Sequence, residues 1–109
     1  MSELHLDYLA KADGAMSRGD YLTAMQFALR AADVPKGMEG LRCDAYILLA
    51  LTNLELEMGE DALAFAVGAS LSATWAADER RMKRANAIVA LVMARFPNLR
   101  EQPAEALVH

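Results

Sequence analysis

At 109 residues and a net charge of −4, the chain has the length of a single domain, able to bury roughly 60–70% of the surface that its unfolded form exposes. Its hydrophobic content of 55% leans on alanine, with three tyrosines, three phenylalanines and one tryptophan as the whole aromatic complement, a bias toward close-packed helices over sheets. The lone Cys43 excludes an internal disulfide, the apolar run 45–51 is far short of the ~20 residues of a membrane span, and Met1-Ser2-Glu3-Leu4-His5 lacks a basic start, so a reducing, cytoplasmic setting without a membrane is expected.

The first helix is predicted over residues 2–17, capped by Ser2, with Glu3 placed where an acid complements the helix dipole. Leu4, Tyr8, Ala12 and Ala15 or Met16 recur on one face. Gly19 ends it, and Asp20 caps a second helix whose buried stripe is Tyr21, Ala24, Met25, Ala28 and Ala32. Asp33-Val34-Pro35-Lys36-Gly37 stops that helix, because proline disfavours helical geometry in the residue before it and glycine tolerates positive φ. A third helix over 41–58 is apolar on nearly all sides, the pattern of a central helix. After Gly59 a fourth helix runs from about 60 to 73 or 76, with Gly68 either its weak spot or a point of close helix contact. Asp78 caps a fifth helix with Met82, Ala85, Val89, Val92 and Phe96 as its inner stripe, and Pro97 ends it. Residues 1–97 read as one helical domain and 98–109 as a loose tail, in which 104–107 has the composition for one more turn. No strand pattern competes.

Two bends organise these helices. Arg18-Gly19-Asp20-Tyr21 is followed by Ala24, Ala28 and Ala31, and Gly59-Glu60-Asp61 by Ala62, Ala66 and Ala69. Each reads as the turn of a helical hairpin, and the alanines hold the axes near the short end of the usual separation of about 8–10 Å. On these residues the chain resembles the tetratricopeptide repeat, a helix–turn–helix unit with a period of about 34 residues. Tyr8, Ala12, Gly19, Asp20, Tyr21, Ala24 and Ala31 match its pattern in the first hairpin. Leu51, Gly59, Glu60 and Ala62-Leu63 or Ala64-Phe65 keep it in outline in the second, where the tyrosine after the turn is missing. The two glycines stand 40 residues apart, which places an insertion around 35–40.

The resemblance spans about 4–96 and implies an all-α fold: two antiparallel hairpins and a fifth, capping helix in a right-handed superhelical stack. It also implies that a peptide or protein segment binds in a groove lined by the first helix of each pair, as in adaptors and small chaperones. Carried onto this sequence, the groove positions are Leu6, Leu9, Asp13 and Met16, then Tyr46, Leu49, Asn53 and Leu56, with Arg80 and Arg84 on the fifth helix. Asn53, Arg80 and Arg84 look like part of the carboxylate clamp of some members, since guanidinium forks match both carboxylate oxygens. Leu9 and Asp13 depart from it, standing where a lysine and an asparagine are needed.

Charge is segregated along the chain. Asp44, Glu55, Glu57, Glu60, Asp61, Asp78 and Glu79 occupy 43–79 with no base, and Arg80, Arg81, Lys83, Arg84, Arg95 and Arg100 occupy 80–100 with no acid. Pairing between adjacent helices is the favoured reading of this asymmetry. Joining of copies into a homo-oligomer is the alternative, with charge steering the approach. Nucleic acid is disfavoured as a partner because the whole chain is acidic. Trp75, near a helix end, reads as core, with an exposed interface anchor as the alternative, and Met25, Met82 and Met93 read as core. Catalysis, metal binding and a cofactor are not expected: His5 and His109 stand at opposite ends, Cys43 has no histidine near it in sequence, Glu55 and Glu57 point apart on a helix, and there is no phosphate-cradling glycine loop.

Overall fold

In the computed structural model, which describes residues 2–101, the chain forms α1 (Ser2–Ser17), α2 (Tyr21–Ala32), α3 (Glu39–Glu55), α4 (Gly59–Trp75) and α5 (Glu79–Arg95), closed by a 3₁₀ turn, Pro97–Glu101. Among the described residues there is no strand, and no helix is long and apolar enough to cross a membrane. Each helix packs on the next, and α3 also meets α1 and α5. The fold is all-α, built of helical hairpins with α3 at the centre.

Three of the four helix connections are the same turn. At the ends of α1, α3 and α4 the chain enters the left-handed region at Gly19 (φ 78°), Glu57 (φ 61°) and Ala77 (φ 52°). In each case two amides reach back to the last turn: Asp20 to the Ala15 carbonyl and Gly19 to Met16, Met58 to Asn53 and Glu57 to Leu54, Asp78 to Ala73 and Ala77 to Thr74. This paired pattern is a Schellman cap, which satisfies carbonyls that a helix end leaves open. The residue after it is the N-cap of the next helix, and Asp20 and Asp78 accept hydrogen bonds there from the amides of Thr23 and Arg81. Gly59 is therefore not the turn glycine of the second hairpin. That role falls to Glu57, despite a cost of about 1–2 kcal/mol for a side chain in this conformation. Gly59 instead opens α4 under the ring of Phe96, where a Cβ would come within 2.7 Å of Cγ.

With Gly19 matched to Glu57, the two hairpins repeat at 38 residues. Tyr8 stacks on Phe27 with ring centroids 6.2 Å apart, and their counterparts Tyr46 and Phe65 meet at 5.9 Å. Ala24, Ala28 and Ala31 are fully buried, as are Ala62, Ala66 and Ala69. The alanine rows let α2 and α4 lie close against the hairpin partner, as expected from sequence. Gly68 marks a close contact too: a Cβ there would stand 3.1 Å from the Tyr46 ring.

The core divides into three clusters bridged by α3. Cys43 and Ile47 join Ala69, Ala73 and Ala85; Leu54 joins Ala62, Val92 and Leu99; Leu49 joins Ala12 and Ala28. Several expectations are corrected here. On α1 His5 is buried and Leu4 exposed, so the inner stripe runs His5, Ala12, Ala15. Trp75 is not core but 81% exposed, because it lies on the side of α4 opposite its buried alanines. The loose tail does not begin at 98, since Leu99 is buried and its amide bonds the Phe96 carbonyl. Residues 102–109, with the turn expected at 104–107, lie outside the described residues.

Cys43 is fully buried, and loss of solvation pushes its thiol up to about 11. Native protein at pH 8 is expected to leave a disulfide reagent unconsumed over the time in which urea-unfolded protein reacts completely. Rapid native labelling would contradict this burial.

Candidate functional site

The spacing of buried residues sets which side of each helix remains open. On α3, Tyr46, Leu49, Ala50 and Asn53 lie on the inner side, while Asp44, Leu48, Leu51 and Glu55 follow at helical spacing on the opposite side and keep some exposure. Their counterparts on α1, 38 residues earlier, are Leu6, Ala10, Asp13 and Ser17, all exposed. On α5 the flank toward α3 carries Arg81, Arg84, Ile88 and Arg95, with Leu91 exposed beside them. Because α1 and α5 both pack on α3, these rows belong to neighbouring helices, and Arg81 of α5 reaches Asp44 of the α3 row.

Ion pairs brace these helices. Arg81 grips Asp44 with two parallel bonds, Nε to Oδ1 at 2.9 Å and Nη2 to Oδ2 at 2.8 Å, and its Nη1 donates to Asp78 Oδ2 at 2.7 Å. The guanidinium lies over Gly40, where a Cβ would be 2.9 Å from Nη1. Its two carboxylate partners raise the Arg81 pKa further, so it stays charged. At the other end Arg95 Nη2 donates to Glu57 Oε1 at 2.7 Å. Part of the segregated charge thus pairs between elements, Asp44 with Arg81 and Glu57 with Arg95, as the reading favoured from the sequence has it, while Glu55, Glu60, Asp61, Glu79, Arg80 and Lys83 enter no ion pair among the described residues.

Around the Arg81 knot lies an open depression of about 430 Å³ lined by Asp44, Asp78, Arg80, Arg81 and Arg84. Arg81 spends its donors inside the protein. Arg84 comes only to 3.9 Å of Asp44, beyond hydrogen-bonding reach, and Arg80 has no ion-pair partner among the described residues. Both guanidinium groups therefore keep donors for an anion.

Asp78 is held below the ordinary carboxylate range by the Arg81 amide and then by the Arg81 guanidinium. A depressed folded-state pKa contributes stability that is present above the unfolded pKa and is lost as pH falls through the folded one. Acid titration below about pH 4 is expected to weaken the wild type, and Asp78→Asn should show a shallower loss over the same range. Identical profiles would remove Asp78 from the acid response.

The residues expected to line the groove fall into separate places. Leu6 and Asp13 are exposed on α1, and Arg80 and Arg84 meet at the depression. Leu9 and Met16 are half-buried, and Leu56 is the half-buried C-cap of α3. Leu49, Asn53 and Tyr46 are corrections. Leu49 is buried against Ala12 and Ala28, and Tyr46 turns its ring to Phe65 and Gly68. Asn53 is buried, with Nδ2 donating 2.7 Å to the Leu49 carbonyl, so it joins no clamp with Arg80 and Arg84. The cause is the two-residue error of aligning Gly59 with Gly19, which rotates every transferred position on α3 by about 200°. Asp44, Leu48, Leu51 and Glu55 were missed for the same reason, and Arg81 of α5 because its role rests on the ion pair with Asp44. The repeat of Tyr8 and Phe27 as Tyr46 and Phe65 is the sequence signal that gives the right register. No family model, curated protein or solved structure matches the chain.

Proposed function

We propose that the chain is a non-catalytic interaction module, of the adaptor or small-chaperone kind, that takes a peptide or protein segment across the open face of α1, α3 and α5. The observation that carries this reading is the accessible apolar positions of three neighbouring helices, Leu6 and Leu91 exposed and Leu48 and Leu51 half-buried, beside Arg80 and Arg84, whose donors are not used up inside the protein. The first-hairpin resemblance to the tetratricopeptide repeat supports the same reading. The leucines offer apolar contact along a segment, and Arg80 with Arg84 favours an acidic group at the α5 end, while Asp13, Asp44 and Glu55 disfavour one near α1 and α3. Peptides selected from a random library on the immobilised protein are expected to combine apolar and acidic residues. Leu48→Asp and Arg84→Glu should each weaken their binding by roughly tenfold or more, and Gln26→Glu on α2 should leave it unchanged. A library that yields no binder, or binders indifferent to Leu48 and Arg84, would refute the reading.

A further inference from the structure

The outward side of α4 is apolar from end to end. Ala64, Val67, Leu71 and Trp75 follow at steps of three and four residues, which puts them in one row. They lie opposite the buried Ala62, Ala66, Ala69 and Ala73, and Val67, Leu71 and Trp75 are 42%, 57% and 81% exposed. No charged residue occurs between Asp61 and Asp78. The row is bounded by charge of opposite sign. Glu60 stands at its N-terminal end, and the first turns of α5, held to the C-terminal end by a 3.4 Å contact of the Thr74 hydroxyl with the Met82 sulfur, carry the exposed Lys83 with Glu79 one turn before it. Glu60 and Lys83 are both exposed, and neither enters an ion pair among the described residues.

A strip that reads acid, apolar row, base becomes its own complement when turned end for end. A two-fold axis across its middle places each acid on the other copy's base and each half of the apolar row on the opposite half. We propose that the outward face of α4 binds the same face of a second copy, antiparallel, about a two-fold axis near Val67. Leu71 of one protomer then packs over Ala64 of its partner, and Trp75 lies by the partner's Glu60 end. Helix α4 fits this geometry because alanine at 64 leaves room for a leucine from the facing helix. The charge order selects the antiparallel over the parallel arrangement, which would set Glu60 against Glu60. This face lies away from the rows of α1, α3 and α5, so pairing stands whether or not a peptide occupies them.

Sedimentation velocity on the full chain, from low to high micromolar protein, is the test. A reversible monomer–dimer equilibrium is expected, with the emission of the only tryptophan, Trp75, shifting to shorter wavelength as dimer forms. Leu71→Glu should weaken association by roughly tenfold or more with unchanged helicity, and Val67→Lys serves the same purpose if Leu71→Glu loses helix. Glu60→Lys and Lys83→Glu should each weaken pairing, and the two together should restore it. On oxidation Val67→Cys should cross-link to itself, and Trp75→Cys, far from the axis, should not. A monomer at every concentration, a dimer insensitive to Leu71→Glu and Val67→Lys, or a charge swap that restores nothing would overturn the proposal. So would cross-linking at 75 as fast as at 67, which marks a parallel pair.

Discussion

Replacing Ile47 by alanine should lower the unfolding free energy by about 2–5 kcal/mol. Ile47 is fully buried between α4 and α5, and the fully buried side chains around it are Cys43, Ala69, Ala73 and Ala85. The alanines have no rotamers with which to fill the space an isoleucine leaves, and only the half-buried Tyr46, Leu51, Met82 and Ile88 packed against the cluster can relax into it, so the cost of the remaining cavity adds to the lost transfer free energy. Urea unfolding should show a lower midpoint at unchanged slope. A loss below about 1 kcal/mol would mean that the surrounding helices close the gap, contrary to a framework fixed by alanine contacts.

The second large effect comes from adding volume. Ala66→Leu should cost about 1–3 kcal/mol or more, because Ala66 is fully buried and its neighbours leave no space for a longer side chain. Ala64→Leu makes the same chemical change two residues earlier, on the exposed side of α4. It should fall within about 0.5 kcal/mol of the wild type in dilute solution. The pair separates packing from helix propensity, since both variants gain the same leucine in the same helix. Equal effects at 64 and 66 would contradict the assignment of the two sides of α4.

Helix number, order and most boundaries were legible from caps and breakers: Asp20 and Asp78 cap as expected, and the Pro35 region separates the hairpins. The alanine rows were legible as close contacts because few other side chains permit axes so near. The second turn was not legible from glycine, because the left-handed position there is filled by Glu57 and the nearby glycine serves a different purpose, giving space to Phe96. Cap hydrogen bonds from Met58 and Glu57, which no side chain encodes, hold that turn in place. The site suffered most from this, since a two-residue shift on a helix exchanges its inner and outer sides. Trp75 was misread for another reason: composition speaks for burial of a tryptophan, whereas its row with Val67 and Leu71 places it outside.

The open face of α1, α3 and α5 is tested most directly by site-specific photo-crosslinking in extract. A photoreactive residue is placed at Asp13, Glu55 or Arg84 on that face, and at Leu22 or Gln26 on exposed positions of α2. A segment bound across the three rows should give the same partner adduct from 13, 55 and 84, lost when Leu48→Asp is added, and none from 22 or 26. Adducts of equal yield from α2, or none from the three-helix face, would contradict the assignment of that face as the binding surface.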